Sequence, residues 1–346
     1  MTAHPGRIRP RPQIPHSAWY PLALSDEVGR TPLARRVLAT PVVLYRTTSG
    51  APVALEDRCA HRPVPLSGGR VEGDDIVSGY TGFRYAADGR CVGVPTQVNV
   101  PYGAAVRAFP SHDDGSFVWV WTGDPRLVRL RPPPDTSWLR DPAWSSFGDA
   151  WETNASVRLL IDNFSDITHV VNVDPEIAPP ALGAGPTPPL NVTVSETTMR
   201  FTRDFPSAPV AGWQSMLAGI DPDAAFAQRE EGEFYSPGLW VDRWHIDAGD
   251  RTLSFLFTHA LTPVDEVTTR HVWRVSRNFA PGAAATGTLA PMFDRYYRRV
   301  RDVLETMQQV VNTDGDRPEV SVAADAAAAA VRRILDRLVA DESGVR

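Results

Sequence analysis

Residues 58–95, RCAHRPVPLSGGRVEGDDIVSGYTGFRYAADGRCVGVP, carry two pairs of polar side chains at fixed spacing. Cys59 and His61 stand one residue apart; sixteen residues separate His61 from Ser78, and Thr81 follows three positions later. A thiol and an imidazole are good ligands for iron or zinc, whereas serine and threonine hydroxyls stay protonated near neutral pH and are poor ones. Two protein ligands rarely hold a metal alone, so Cys59 and His61 read as a small buried thiol and a hydrogen-bonded histidine. Cys91, the other cysteine, cannot complete the set without a different loop path. Around this segment Gly, Asp and Pro punctuate short runs rich in Val, Tyr and Trp, such as PVVLYRTT, APVALED and SFVWVWTGD. These runs predict the strands of a small β domain over residues 1–125.

Further along, RPPPD lies in residues 126–148, and successive prolines with no N–H to donate predict a linker there. The remainder, residues 149–346, changes character. VRLLIDNFSDITHVVNV has apolar residues at helical spacing, and the Pro-rich DPEIAPPALGAGPTPPL after it predicts a loop. The alternating segments NVTVSETTMRFTRDF, LWVDRWHID, TLSFLFTHALTP and TTRHVWRVSRNF predict an antiparallel sheet with one face toward a core. Two helices, around residues 291–311 and in DAAAAAVRRILDRLVADE, close the chain. The fold class is therefore α+β: an all-β domain, then an antiparallel sheet wrapped by helices around a cavity.

Composition excludes several function classes. With 42% hydrophobic and 22% charged residues and a net charge of -6, the chain reads as globular and unsuited to nucleic acid. The arginine-bearing start has no apolar stretch behind it, and no run of about 18 apolar residues occurs, so neither a leader nor a membrane span is predicted and the cytoplasm is the expected compartment. All 35 basic residues are arginine, which rules out Schiff-base chemistry on a lysine. No Gly-rich phosphate loop, G-x-S-x-G elbow or H-E-x-x-H is present.

The 58–95 segment resembles the cluster-binding segment of Rieske proteins, C-x-H followed after some sixteen residues by C-x-x-H, with Ser78 and Thr81 at the second pair. The resemblance runs from WYPLALSDEV to the last helix and is nearest to the vanillate demethylase-like branch of Rieske non-haem iron oxygenases. It implies an N-terminal domain for a [2Fe–2S] cluster, a C-terminal helix-grip domain for mononuclear iron, and a homo-oligomer, often a trimer. The family's iron-binding spacing is D-x-x-H-x4-H, and DITHVVNVD supplies Asp166, His169 and, in place of the second histidine, Asp174. The family's third ligand falls in a C-terminal helix, where RDVLETMQQ offers Asp302. One His with two Asp favours hard, weakly held ions such as Mg²⁺ or Mn²⁺.

On these grounds neither cluster nor Fe(II) is expected, and the residues predict a cofactor-independent, non-redox enzyme of specialised metabolism. The expectation is a cyclase closing a ring in an apolar, polyketide-like precursor, as in antibiotic biosynthesis, with Asp166, His169, Asp174 and Asp302 for proton transfer. Trp213, Phe234, Tyr235, Trp240, Trp244 and Trp273 would border the pocket, while His245, His259 and His271 read as satisfied structural residues. The alternatives are a divergent Rieske-type or mononuclear-iron oxygenase, and a non-catalytic subunit paired with an intact one.

Overall fold

The computed structural model describes residues 14–314, 317 and 319–344; most of the arginine-bearing start lies outside them. Eleven short strands build the first domain. They are β1 (Trp19–Leu24), β2 (Leu33–Val37), β3 (Thr40–Arg46), β4 (Pro52–Glu56), β5 (Arg70–Glu72) and β6 (Asp75–Val77), followed by β7 (Arg84–Tyr85), β8 (Cys91–Gly93), β9 (Ala108–Phe109), β10 (Ser111–Asp113) and β11 (Phe117–Trp121). They pair into three antiparallel sheets with the orders β1-β11-β10, β2-β3-β4-β9 and β5-β6-β7-β8. Strand β3 explains its own unbroken apolar run: Val42 and Leu44 enter one core with Tyr20 and Val120, while Val43 and Tyr45 enter another with Leu55, Cys59 and Tyr85. A strand buried on both faces has no position to give to solvent.

The second domain is a seven-stranded antiparallel sheet of order β12-β18-β17-β16-β15-β14-β13. Its strands are β12 (Ser145–Thr153), β13 (Asn191–Val194), β14 (Thr198–Pro209), β15 (Ala225–Tyr235), β16 (Leu239–Asp247), β17 (Thr252–Pro263) and β18 (Thr269–Arg277). Period-2 alternation splits β16 between two environments. Leu239 and Val241 join Trp19, Phe117, Trp119 and Trp121 of the first domain, whereas Trp240 and Trp244 join the core under the helices.

The helices are α1 (Val157–Ser165), α2 (Val170–Val173), α3 (Pro180–Gly183), α4 (Gly212–Ala218), α5 (Ala283–Asp314) and α6 (Ala326–Glu342). The helical pattern of residues 157–173 breaks in the middle. Asp166 is extended (φ -138°, ψ 100°), and its carboxylate accepts from the Thr168 N–H, starting a 3₁₀ turn at Ile167–His169. Helix α5 starts eight residues before Pro291, the residue expected near its start, so the proline sits inside and leaves the Gly287 carbonyl without its usual donor. Leu289, Phe293, Tyr296, Tyr297, Val300 and Leu304 form its buried stripe. In α6 the alanine run is packed: Ala327, Ala328 and Ala330 are buried, and their small side chains let the helix lie close to α1 and β14.

Candidate functional site

Between the inner face of the sheet and α1, α2, α4 and α5 lies a cavity walled by Phe164, Ile167, Val170, Trp213, Trp240, Trp244, Phe255, Phe257 and Phe293. Its polar members are few: Gln214, Asp242, His259, Tyr296 and Tyr297. Gln214 is used locally, its Oε1 accepting the Ala211 N–H at 2.8 Å. His259 shares a hydrogen with His271, Nδ1 to Nε2, at 3.0 Å, and Phe164 stacks on its ring at 3.7 Å. Burial pulls both imidazoles down, His271 to about 3, so the pair is neutral. His245 is also satisfied, by Ser254 Oγ at 2.7 Å.

The 3₁₀ turn brings His169 beside Tyr296 of the cavity wall. Its Nδ1 lies 2.9 Å from the Asp166 carbonyl oxygen and its Nε2 lies 3.0 Å from the Tyr296 hydroxyl. Burial lowers the His169 pKa, against the opposing pull of Asp166, so the ring is neutral near pH 7. Asp166 itself spends both carboxylate oxygens on Thr168. Asp174, only 1% exposed, ends α2, and its Oδ2 accepts from Arg295 Nε at 3.2 Å and Arg299 Nη1 at 3.1 Å.

The structure does not bring Asp302 to this group. Its side chain is 71% exposed and lies 3.7 Å from the Arg301 guanidinium. Helical phase is the reason: two residues beyond Val300 of the buried stripe is about 200° round the helix, on the opposite face. Tyr235 also lies elsewhere, packed with Trp19 and Trp121 on the outer face of the sheet. Phe234 and Trp273 are in the inner core, Trp273 against Tyr297 at 4.6 Å, without lining the cavity. Asp242, Tyr296, Arg295 and Arg299 were not singled out from the sequence. An acidic residue in phase with Trp240 and Trp244, and two arginines four apart beside a Tyr pair, were the available signals.

In the first domain, Cys59 Sγ lies 3.2 Å from the Tyr85 hydroxyl and 3.5 Å from Thr81 Oγ1, which in turn donates to Ser78 Oγ at 3.3 Å. Burial opposes ionisation of the thiol, yet the hydrogen bonds of Thr81 and Tyr85 and those of the Arg62 and His61 backbone together outweigh it and pull its pKa down to about 7. His61 is exposed and stacks on Phe83 at 4.8 Å.

The profile of the vanillate O-demethylase oxygenase C-terminal domain matches residues 153–341, more than half of the chain, and that of the Rieske [2Fe-2S] domain matches residues 18–110. The chain belongs to the Rieske oxygenase family. The iron-sulfur subunit TsaM1 of the toluene-4-sulfonate monooxygenase system of Comamonas testosteroni is 29% identical over 95% of this chain and 98% of its own length. The vanillate O-demethylase oxygenase subunit of Pseudomonas sp. strain HR199 is 26% identical over 95% and 96%. The crystal structure of dicamba monooxygenase bound to 3,6-dichlorosalicylic acid superposes with a TM-score of 0.82 at 26% identity, covering 95% of this chain and 98% of that one.

These relatives overturn the non-redox expectation. Iron-sulfur, demethylase and monooxygenase components align from end to end, so a cofactor-independent cyclase, a polyketide precursor and a setting in antibiotic biosynthesis are replaced by oxygenase ancestry. The expectation of no cofactor is corrected with it: the family implies a [2Fe–2S] cluster and non-haem iron, and a solved relative is described with non-haem iron. That expectation weighed a handful of side chains above the whole chain.

The residues present do not match the donor set such groups take. A Rieske cluster uses two thiolates and two imidazoles. Here one thiol, one outward-facing imidazole and two hydroxyls stand at those positions, and the thiol's neighbours are hydroxyl groups. At the iron positions His169 is tied to Tyr296, Asp174 to two guanidinium groups, and Asp302 is remote. Among the described residues no three His, Cys, Asp or Glu side chains are grouped to hold a metal ion. No helix among the described residues is long and apolar enough to cross a membrane.

Proposed function

We propose that this chain is a divergent oxygenase subunit that takes a small, largely apolar ring compound into the cavity of its second domain. The carrying observation is the cavity wall, with Trp213, Trp240, Trp244, Phe255, Phe257 and Phe293 around few polar atoms. Such a wall excludes water and holds a flat ligand by stacking and apolar burial. The ligands in the relatives' names, toluene-4-sulfonate, vanillate and dicamba, support a small aromatic compound. His169, neutral near pH 7 and hydrogen-bonded to Tyr296 of the cavity wall, holds that hydroxyl in place behind the cavity. Assembly as a homo-oligomer in the cytoplasm belongs to the same proposal.

The test is oxygen-dependent conversion of a panel of substituted benzenes. The chain is purified anaerobically, incubated with iron and sulfide, and supplied with a ferredoxin-type reductase. Incorporation of ¹⁸O from labelled dioxygen is what the oxygenase reading requires, and it would show that iron and cluster are held despite the donor sets at their positions. Binding of ring compounds with no oxygen-dependent product under any of these conditions overturns the oxygenase reading.

The donor sets at both metal positions favour a second reading, a subunit that works beside an intact oxygenase. Co-elution with such a protein, and a change in its turnover when this chain is added, would select it.

A further inference from the structure

The inner face of the sheet carries a polar cluster of which one member, Asp242, reaches the cavity described above. Arg203 on β14, Glu230 on β15 and Asp242 on β16 are 1%, 1% and 3% exposed. Register brings them together. Arg203 pairs with Glu230, Glu230 pairs with Trp244, and Asp242, two residues before Trp244, is thus the diagonal neighbour of Glu230 on the same face. Residue 232, opposite Asp242, is glycine, and the Phe201 ring from β14 covers it.

This cluster is not internally satisfied. Arg203 Nε lies 3.1 Å from Glu230 Oε2, an ion pair without hydrogen-bond alignment. All three guanidinium nitrogens, Glu230 Oε2 and Asp242 Oδ1 are buried and make no hydrogen bond. Unpaired buried polar atoms cost on the order of 1–3 kcal/mol each, so a protein rarely leaves several side by side without a use. Of the three residues, Asp242 lines the cavity. Around it the wall is aromatic, and Trp213 and Trp240 of that wall also carry buried indole N–H groups without partners.

We infer that Asp242 is the polar anchor of the cavity and that the ligand is a ring compound bearing a hydrogen-bond-accepting oxygen, a carbonyl or ether, which the Asp242 carboxyl binds. Charge count gives the direction of the hydrogen bond. One guanidinium faces two carboxyl groups in a dry site, and two carboxylates with one cation do not both stay ionised there. Burial first, and the facing Glu230 second, push the Asp242 pKa well up, against Arg203; burial also raises Glu230, to about 7. Asp242 therefore carries the proton and donates. The accepting oxygen makes the bond that Oδ1 lacks, and an isosteric hydrocarbon cannot.

This inference rests on the cavity being a binding site, and the experiment separates the two. Acetophenone and α-methylstyrene have the same shape and differ by an oxygen in place of a CH₂ group. Their dissociation constants, from quenching of tryptophan fluorescence, are compared in the wild-type protein, Asp242→Leu and Asp242→Asn. Wild type is expected to prefer acetophenone about tenfold, roughly the worth of one buried hydrogen bond. The preference should vanish in Asp242→Leu with α-methylstyrene bound at least as well as before, and shrink in Asp242→Asn, whose amide is a weaker donor. The infrared carbonyl stretch of bound ¹³C-acetophenone, lowered in wild type, should rise toward its hydrocarbon-solvent value in both variants. Should Asp242→Leu not fold, the isosteric Asp242→Asn and the carbonyl stretch carry the test. An unchanged preference and stretch in the variants overturns the anchor while leaving the cavity as a binding site. Binding of neither compound by wild type overturns both. Binding with the expected preference but without oxygenation leaves the anchor standing and removes only the oxygenase reading.

Discussion

At the end of α2, the Asp174 carboxylate lies under two guanidinium groups of α5. As a solvated residue before Pro175 it would matter little; buried and doubly bonded, it ties α2 to the long helix. Removing it loses two charge-assisted hydrogen bonds, discounted because Arg295 and Arg299 are 39% and 51% exposed. Asp174→Ala is therefore expected to cost about 2 kcal/mol in chemical denaturation, and a midpoint unchanged from wild type would return Asp174 to the role of a turn residue. The spacing of Asp166, His169 and Asp174 was legible in the sequence because it lies within nine residues. The partners were not, since Arg295 and Arg299 come more than 120 residues later and only the fold brings them to Asp174. Asp242 was legible in principle: in LWVDRWHID it keeps step with Trp240 and Trp244, so it had to face inward with them.

Alternation and helical phase decide what each element contributes. The strands of the second domain were readable from period-2 patterning, and β16 needed both faces apolar because one meets the first domain and the other the cavity. The misplaced expectation, Asp302, was an error of phase on α5, which its own buried stripe could have corrected. One position on β15 has a steric requirement that no pattern announces. A Cβ added at Gly232 would lie 2.0 Å from Phe201 Cε1, because the Phe201 ring crosses the strand there. Gly232→Ala must displace this ring, which packs at 6.2 Å against Trp240 of the cavity wall, and such overpacking costs roughly 1–3 kcal/mol. Weaker binding of ring compounds is expected together with the lower stability; a variant as stable as wild type and unimpaired in binding would show that Phe201 moves aside freely.

Across the whole molecule the two domains share one core. Trp19, Phe117, Trp119 and Trp121 of the first pack on Leu239, Val241, Ala260 and Val272 of the second. Polar ties cross the same seam: Thr262 Oγ1 donates to the Pro21 carbonyl at 2.8 Å, and Glu27, which accepts from Arg35 of its own domain at 2.8 Å, also accepts from Arg270 at 2.7 and 2.8 Å. Burial would raise the Glu27 pKa, but the Leu24 N–H bond and the charges of Arg270 and Arg35 outweigh it, and the folded value lies below the ordinary one. A depressed folded pKa contributes stability that is complete above the ordinary carboxyl value, about 4.3, and is lost as pH falls through the folded value. Glu27→Gln removes this contribution at every pH. The unfolding free energies of wild type and Glu27→Gln should therefore differ by a constant amount between pH 6 and pH 8, on the order of 1 kcal/mol for partly exposed pairs. The two should converge as pH falls from about 4.3 through the lower folded value. Because the apolar seam couples the domains, the loss should appear as a shift of a single unfolding transition. If the first domain instead melts separately in Glu27→Gln, the seam depends on this ion pair more than on its four aromatic side chains.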